Sequence, residues 1–310
     1  MRWRSGSAAR WTGRPSPKRA ELARTGIEVK TLGELQAMRA SGLILARALA
    51  VGRAAARPGA STADVDQAVA AVIAQAGATS NFQGYGGGPG GVGAFPATIC
   101  ASVNEEVVHG IPSADRILVP GDLLSIDAGC ILDGWHSDSA FSMHVGEPPE
   151  DDQGLAETDL LLATEVAMQA GIAAIRAGGK LGDVSNAIQL SGQRSGYDDG
   201  RRYASVVGYG GHGIGRAMHM EPFIPNQGKR GKGPKLEAGM ALAIEPMLAL
   251  GRAVVDVADD EWTVRTRDGS RAAHFEHSVA ICPDGISVLT AADAGASFLG
   301  RWDIVPVSLD

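Results

Sequence analysis

The sequence predicts an α/β (α+β) protein in which a unit of two helices followed by strands occurs twice. Residues 52–77 and 171–196 align at an offset of 119 without gaps, with 9 of 26 positions identical, among them Arg57/Arg176, Gly59/Gly178, Asp64/Asp183 and Gly77/Gly196. Helical periodicity leads into each match and strand-like runs follow it, as expected of a duplicated α/β unit with a pseudo-twofold axis. Apolar strand segments in both halves are also interrupted by single carboxylates or an imidazole. A core strand tolerates such groups only when they are hydrated, paired or metal-bound.

The chain has 310 residues, room for one large domain or two ordinary ones, and with only 5% aromatic residues its core must be Ala, Val, Leu and Ile. A membrane-spanning helix needs about 18 or more apolar residues in a row. The best candidate, Gly42 to Gly52, is broken by Arg47, so no membrane partner is expected. Cys100, Cys130 and Cys282 cannot all pair and form no CxxC, which points to a reducing, cytoplasmic setting. Charge is uneven. Residues 1 to 25 hold seven basic side chains against Glu21, a net +6, which leaves -13 for the rest of a chain whose total is -7. No apolar run follows those arginines, so they are not a secretory signal. Residues 1–27 therefore read as a disordered basic arm. It is either a tether to RNA such as the ribosome surface or an unstructured leader from an early start. Residues 28–310 read as one catalytic domain, with halves at about 28–150 and 151–290 and a tail over 291–310.

Thr31-Leu32-Gly33-Glu34 is a capping box. Order is expected to begin there, because Leu35, Met38, Gly42, Leu45 and Leu49 follow on one helical face. Arg57-Pro58-Gly59 ends that helix. A second opens at Ser61 or Thr62, buries Val65, Val69, Val72 and Ile73, and stops at Gly77. The later pair is predicted over 155–176 and about 182–195. Strands are predicted over 97–103, 123–130, 137–145, 206–209, 240–245 and 273–281, with an exposed hairpin over 253–267. Gly84 to Gly93 is a loop, and the tail after Thr290 packs through Phe298, Leu299 and Trp302.

The chemistry begins with Ser125-Ile126-Asp127 … Ser137-Asp138, two strands joined by a turn near 132–134. A turn at 132 and 133 sets Asp127 opposite Asp138, and two like charges facing each other destabilise a hairpin unless a cation lies between them. The plainer reading is a capping aspartate and a surface aspartate. His212 stands between glycines in Gly211-His212-Gly213, with His219 seven residues on. The overlapping GxGxxG at Gly208 lacks the helix and the acidic strand end of a dinucleotide site, since Pro222 and Pro225 follow too soon. Glu245 and Glu276 each interrupt an apolar strand. Either alone could be a salt-bridge partner. Four buried carboxylates together stay ionised only with matching positive charge, which two divalent cations supply. Oxygen-rich ligation with one imidazole suits Mn, Fe, Co or Zn and not a thiolate zinc site.

These segments resemble the type I methionine aminopeptidases over about Val29 to Thr290. The marks are Ser102 to Pro112 (SVNEEVVHGIP), the Asp127–Asp138 hairpin, Gly211 to Pro222 (GHGIGRAMHMEP), Ala243-Ile244-Glu245-Pro246-Met247, Trp262 to Thr266 and Phe275-Glu276-His277. The resemblance implies the pita-bread fold of two related halves, with antiparallel sheet inside and helices outside, around two divalent metal ions. It implies Asp127, Asp138, His212, Glu245 and Glu276 as ligands, with Asp138 and Glu276 shared by both metals. The activity implied is removal of the N-terminal methionine from nascent proteins with a small second residue, by attack of a metal-activated hydroxide on the first peptide bond. Glu245 is implied as proton acceptor, His219 as contact to the carbonyl oxygen and His109 as contact to the scissile nitrogen. Phe95, Cys100, Met218 and Trp262 are implied as the methionine pocket. The partners implied are N-terminal peptides, with a monomeric chain and no DNA. Two departures stand out: the family carries an aromatic residue near Val92 and usually Phe or Tyr at Met218. Tyr85 replaces the missing ring only if the glycine-rich loop folds inward.

Two alternatives remain at this level. Proline-specific peptidases of the same fold share the five ligands, but they carry a large N-terminal domain for which the stretch before Thr31 has no room. Non-catalytic binding proteins of the fold lose ligands, whereas all five are present here.

Overall fold

The computed structural model describes residues 26–87, 93–194 and 203–310; residues 1–25 of the basic arm and the stretch around Val92 lie outside the described residues. Helix α1 (Leu32–Ala55) starts at the predicted capping box: Thr31 accepts from the Glu34 N–H while the Glu34 carboxylate accepts from the Thr31 backbone. Ile27 is buried and bridges Glu221, so packing starts four residues earlier than the capping box suggests. Helix α2 (Thr62–Gln75) opens with a second capping box between Ser61 and Asp64.

Strands β1 (Thr79–Ser80), β2 (Ile99–Val103), β3 (Glu106–Val108), β4 (Leu123–Leu132) and β5 (Trp135–His144) complete the first half. Helices α3 (Asp152–Ala173) and α4 (Leu181–Arg194) open the second. Then come β6 (Ala204–Ser205), β7 (Gly210–Gly213), β8 (Met220–Pro225), β9 (Ala241–Ile244), β10 (Met247–Ala249), β11 (Val255–Val257), β12 (Val264–Thr266), β13 (Ala272–His274), β14 (Glu276–Cys282), β15 (Gly285–Val288) and a final turn of helix, α5 (Ala296–Leu299).

The repeat read from the sequence is a repeat in space. Gly52 lets α1 cross α2 closely, since a Cβ there would lie 2.7 Å from Val69 Cγ2. At the same offset Gly171 lets α3 cross α4, where a Cβ would lie 2.6 Å from Ile188 Cγ1. The entries to the second helices match as well. Ser61 N–H donates to Asp64 at 2.8 Å and Lys180 N–H donates to Asp183 at 3.1 Å. Gly59 N–H reaches Leu118 O at 2.8 Å and Gly178 N–H reaches Leu236 O at 2.7 Å.

The long helices of both pairs pack on one face of a nine-stranded sheet, β1-β4-β5-β14-β9-β7-β8, with β2 on β4 and β15 on β14. Two three-stranded sheets, β13-β10-β6 and β11-β12-β3, flank it. Strands β4, β5, β9 and β14 are buried along most of their length, the halves joining where β5 pairs with β14. Among the described residues no helix is long and apolar enough to cross a membrane.

Three expectations are corrected. The β4–β5 turn uses Asp133 (φ 51°) and Gly134 (φ 76°), two left-handed residues of the kind a tight two-residue hairpin needs. Leu132 therefore pairs with Trp135, Asp127 with Ala140, and Asp138 with Gly129. The aspartates are diagonal neighbours on one face, not direct opposites. The strand expected over 206–209 lies at Ala204–Ser205 and resumes at Gly210, because Gly208 at φ 95° breaks the extended run. The strand expected over 273–281 is two, β13 and β14, interrupted at Phe275.

The tail packs as predicted through Leu299, which is fully buried, with Phe298 and Trp302 against the core. It is also tied by Arg39 of α1. The buried guanidinium donates to the carbonyls of Val288, Leu289, Ala291 and Ala292 and to the Asp310 carboxylate. Arg39→Ala would leave those carbonyls without a donor in the interior. We expect a loss of about 3–5 kcal/mol of stability, read by denaturant unfolding, and faster proteolysis after residue 290; an unchanged midpoint would contradict this role.

Candidate metal centre and its pocket

The five predicted ligands come from five strands that are consecutive in the sheet. Asp127 lies on β4, Asp138 on β5, Glu276 on β14, Glu245 just past β9 and His212 on β7. Side chains alternate along a strand, and the register sets all five on one face. Asp127 faces Ala140, which faces Glu276; His212 faces Ala243, which faces Ser278. The small side chains Ala140, Ala243 and Ser278 share that face and keep its floor open. Ser278 also locks β5 to β14, its hydroxyl accepting from Asp138 N–H at 3.0 Å and donating to Asp138 O at 2.8 Å.

The glycines beside His212 serve the sheet. A Cβ on Gly211 would lie 2.2 Å from Ala243 O and one on Gly213 2.1 Å from Glu221 O. Only glycine lets β7 sit this close to its neighbours with an imidazole between.

Asp138, His212 and Glu276 each offer a ligand atom within 4.8 Å of the other two, and all three are buried. His212 Nε2 is 3.5 Å from Glu245 Oε1 and 4.0 Å from Asp138 Oδ2. Asp127 lines the same cavity. Among the described residues, Asp127 Oδ1, Asp138 Oδ1 and Glu276 Oε1 are buried oxygens with no hydrogen-bond donor. Buried, acceptor-only oxygens aimed at one spot beside an imidazole nitrogen fit a divalent metal and fit little else. Burial, then the charges of Asp127 and Glu245, holds the Asp138 carboxyl well above the carboxylate range. Burial, then Asp138, Glu245 and Asp127, does the same to Glu276. Burial lifts Asp127 to about 7. Glu245 moves the other way: burial pulls it up, but the His274 imidazole beside it and the charge of His212 outweigh that and leave it below its ordinary value.

His274 is the residue the sequence reading missed. It is 1% exposed and its Nε2 lies 3.5 Å from Glu245 Oε2, opposite the side that faces His212. The signal was its spacing: two positions before Glu276 along an extended segment, it shares the face that carries the ligands.

His109 and His219 flank the carboxylates on the same cavity. Burial drives both imidazoles down to about 4, so at neutral pH each is an uncharged ring with one donor and one acceptor nitrogen. His219 stands edge-on to His212, with ring centroids 4.5 Å apart. His109 lies edge-on to Trp262 at 6.4 Å and Tyr209 at 6.1 Å.

Phe95, Cys100 and Met218 form one apolar cluster with Phe82 and Ala97, closed by Trp262 and Ile111. Phe82 is a second wall residue that the sequence did not reveal. The glycine-rich loop does fold inward at Tyr85, whose hydroxyl lies 2.7 Å from His219 Nδ1. The cavity of about 90 Å³ thus joins an acidic face to an apolar pocket.

Comparison with known proteins places the fold in a family. The family description "Metallopeptidase family M24" matches residues 36–283. Methionine aminopeptidase 1 of Mycobacterium tuberculosis is 51% identical over 261 residues, 84% of this chain and 94% of that protein. The methionine aminopeptidase of Clostridium acetobutylicum is 41% identical over 267 residues, 86% of this chain and 100% of that one. The crystal structure of methionine aminopeptidase from Thermotoga maritima superposes with a TM-score of 0.77 at 38% identity, over 85% of this chain and 99% of that chain. Prolidase from Pyrococcus furiosus, at 20% identity and a TM-score of 0.64 over 88% of this chain and 68% of that one, shares the fold. The chain belongs to metallopeptidase family M24 and is a metal-dependent peptidase with the pita-bread fold. Within that family it stands among the type I methionine aminopeptidases.

Raised carboxyls favour the protonated form until a cation takes the proton's place, so metal binding should release protons and tighten as pH rises. Calorimetric titration of Mn²⁺ into chelator-treated protein at pH 7, in buffers of different ionisation enthalpy, should show release of about one proton or more. Heats independent of the buffer would contradict the raised values of Asp138 and Glu276.

Proposed function

We propose that this enzyme removes the N-terminal methionine from newly made polypeptides whose second residue is small, using two divalent metal ions held by Asp127, Asp138, His212, Glu245 and Glu276. The observation that carries the reading is the junction of that carboxylate-rich face with the apolar cluster of Phe82, Phe95, Cys100, Met218 and Trp262. An unbranched thioether fits the apolar half while the first peptide bond lies over the acidic half. Four carboxylates and two dications balance, which is what favours a pair of ions over one. When bound, such ions supply Lewis acidity that makes water a nucleophile at neutral pH and polarises the carbonyl.

The chain's own residues do the rest. Asp127 faces the free amino group of the substrate. Glu245, held below its ordinary value, accepts the proton of the attacking water at a carboxylate oxygen. A C–O bond forms as the peptide C–N bond breaks, and that proton passes on to the leaving amine. His219 donates a hydrogen bond to the carbonyl oxygen, where negative charge develops. His109 contacts the scissile nitrogen. Both rings stay uncharged because they are buried, so each acts as a neutral donor that does not repel the metals. The apolar walls exclude water from the pocket.

The test combines turnover and metal content. Met-Ala-Ser should be cleaved after Mn, Co, Fe or Zn is added back to chelated enzyme, and Gly-Pro should not. His219→Ala and His109→Ala should lower kcat by about 10²–10³ with metal retained by mass spectrometry. Asp138→Asn or Glu276→Gln should lose metal. Preferential cleavage of Gly-Pro would point to a proline-specific peptidase, and an absence of bound metal to a binding protein; either would overturn the reading.

We further read residues 28–310 as a single catalytic domain, monomeric and cytoplasmic, and residues 1–27 as an arm whose +6 over the first 25 residues suits the ribosomal RNA surface where nascent chains emerge. Light scattering should give the mass of one chain. Salt-sensitive co-sedimentation with ribosomes should be lost when residues 1–25 are deleted; binding unchanged by the deletion would contradict the arm's role.

A further inference from the structure

The glycine-rich loop places one phenol against a histidine of the site. The Tyr85 hydroxyl lies 2.7 Å from His219 Nδ1, and the rings meet edge to face at 5.2 Å and 78°. The loop fixes this contact through its backbone. Tyr85 N–H donates to Phe82 O and Phe95 N–H donates to Tyr85 O, both at 2.9 Å, and Gly84 N–H donates to Phe95 O at 2.9 Å. The next residue, Gly86, passes so close to Trp262 that a Cβ there would lie 2.8 Å from its ring. Tyr85 thus lines the pocket beside His219.

A neutral imidazole carries its proton on one nitrogen only. If Nδ1 of His219 carried it, Nε2 would turn a lone pair toward a carbonyl oxygen, and the two would repel. If the phenol donates to Nδ1, the proton must sit on Nε2, where it meets that oxygen. Burial keeps the Tyr85 phenol in its protonated, donating form.

We propose that Tyr85 is a positioning residue for His219: its O–H donates to Nδ1 and fixes the ring as the Nε2–H tautomer, aimed at the substrate carbonyl. The proposal rests on the reading above that His219 contacts that oxygen. It gives the turn Gly84-Tyr85-Gly86 a task, which is to carry the hydroxyl to the imidazole.

Tyr85→Phe keeps the ring and removes the donor. In Zn²⁺-loaded enzyme with ¹⁵N-labelled histidine, the wild-type spectrum should show His219 with an unprotonated Nδ1 and a protonated Nε2. The variant should show a mixture of tautomers. Turnover of Met-Ala-Ser should fall about tenfold in kcat, the worth of one well-placed hydrogen bond, with KM within about twofold. In a His219→Ala background the same substitution should have no further effect. An unchanged ¹⁵N pattern, an undiminished kcat, or a full additional loss in the His219→Ala background would each overturn the proposal. A fully active His219→Ala enzyme would overturn instead the carbonyl contact beneath it, and the nitrogen spectrum separates the two failures.

Discussion

Four carboxylates and an imidazole share one face of the central sheet, and the electrostatics of that face constrain everything around it. Charges taken out of water repel one another far more strongly than on a surface. Without cations burial and mutual repulsion push the Asp138 and Glu276 carboxyls toward the protonated form, while Glu245, backed by His274 and His212, is shifted the other way. With cations the same cluster becomes a source of binding energy, since the acceptor oxygens that find no donor in the protein then have a partner. The fold is stable around a centre that its own side chains do not fully satisfy.

The duplicated architecture is what allows so many acidic groups to meet. Each half contributes a helix pair closed by a glycine, Gly52 against Val69 and Gly171 against Ile188, and strands from both halves join in one sheet. Asp127, Asp138, Glu276, Glu245 and His212 are then drawn singly from β4, β5, β14, the end of β9 and β7. Arg39 and the C-terminal segment brace the outside of the same sheet. The apolar pocket is built from less regular parts, the loop ends at Phe82, Phe95, Met218 and Trp262. The metal face is fixed by strand register, whereas the pocket is set by loops.

That division explains what was legible in the sequence. Asp127, Asp138, Glu245 and Glu276 stood out because a carboxylate inside an apolar strand is chemically conspicuous, and the helix start at Thr31 because a capping box is local. The hairpin register was off by one pair, since it depends on which two residues take left-handed backbone; Asp133 and Gly134 do, and a shift of one pair moved Asp127 from opposite Asp138 to diagonal. His274 passed unnoticed because a lone histidine beside a strand end looks ordinary until Glu245 arrives from a distant segment. The inward turn of Tyr85 was open for the same reason: a glycine-rich loop allows many paths, and its choice is made by Trp262 and His219, residues far along the chain.

The central claim is that these five side chains converge on a pair of dications, and anomalous X-ray scattering tests it most directly. Crystals grown with Mn²⁺ and measured above and below its absorption edge should show two peaks between Asp127, Asp138, His212, Glu245 and Glu276, with Asp138 and Glu276 reaching both. An ordered crystal with no anomalous density there, or with its manganese held elsewhere on the chain, would contradict the account.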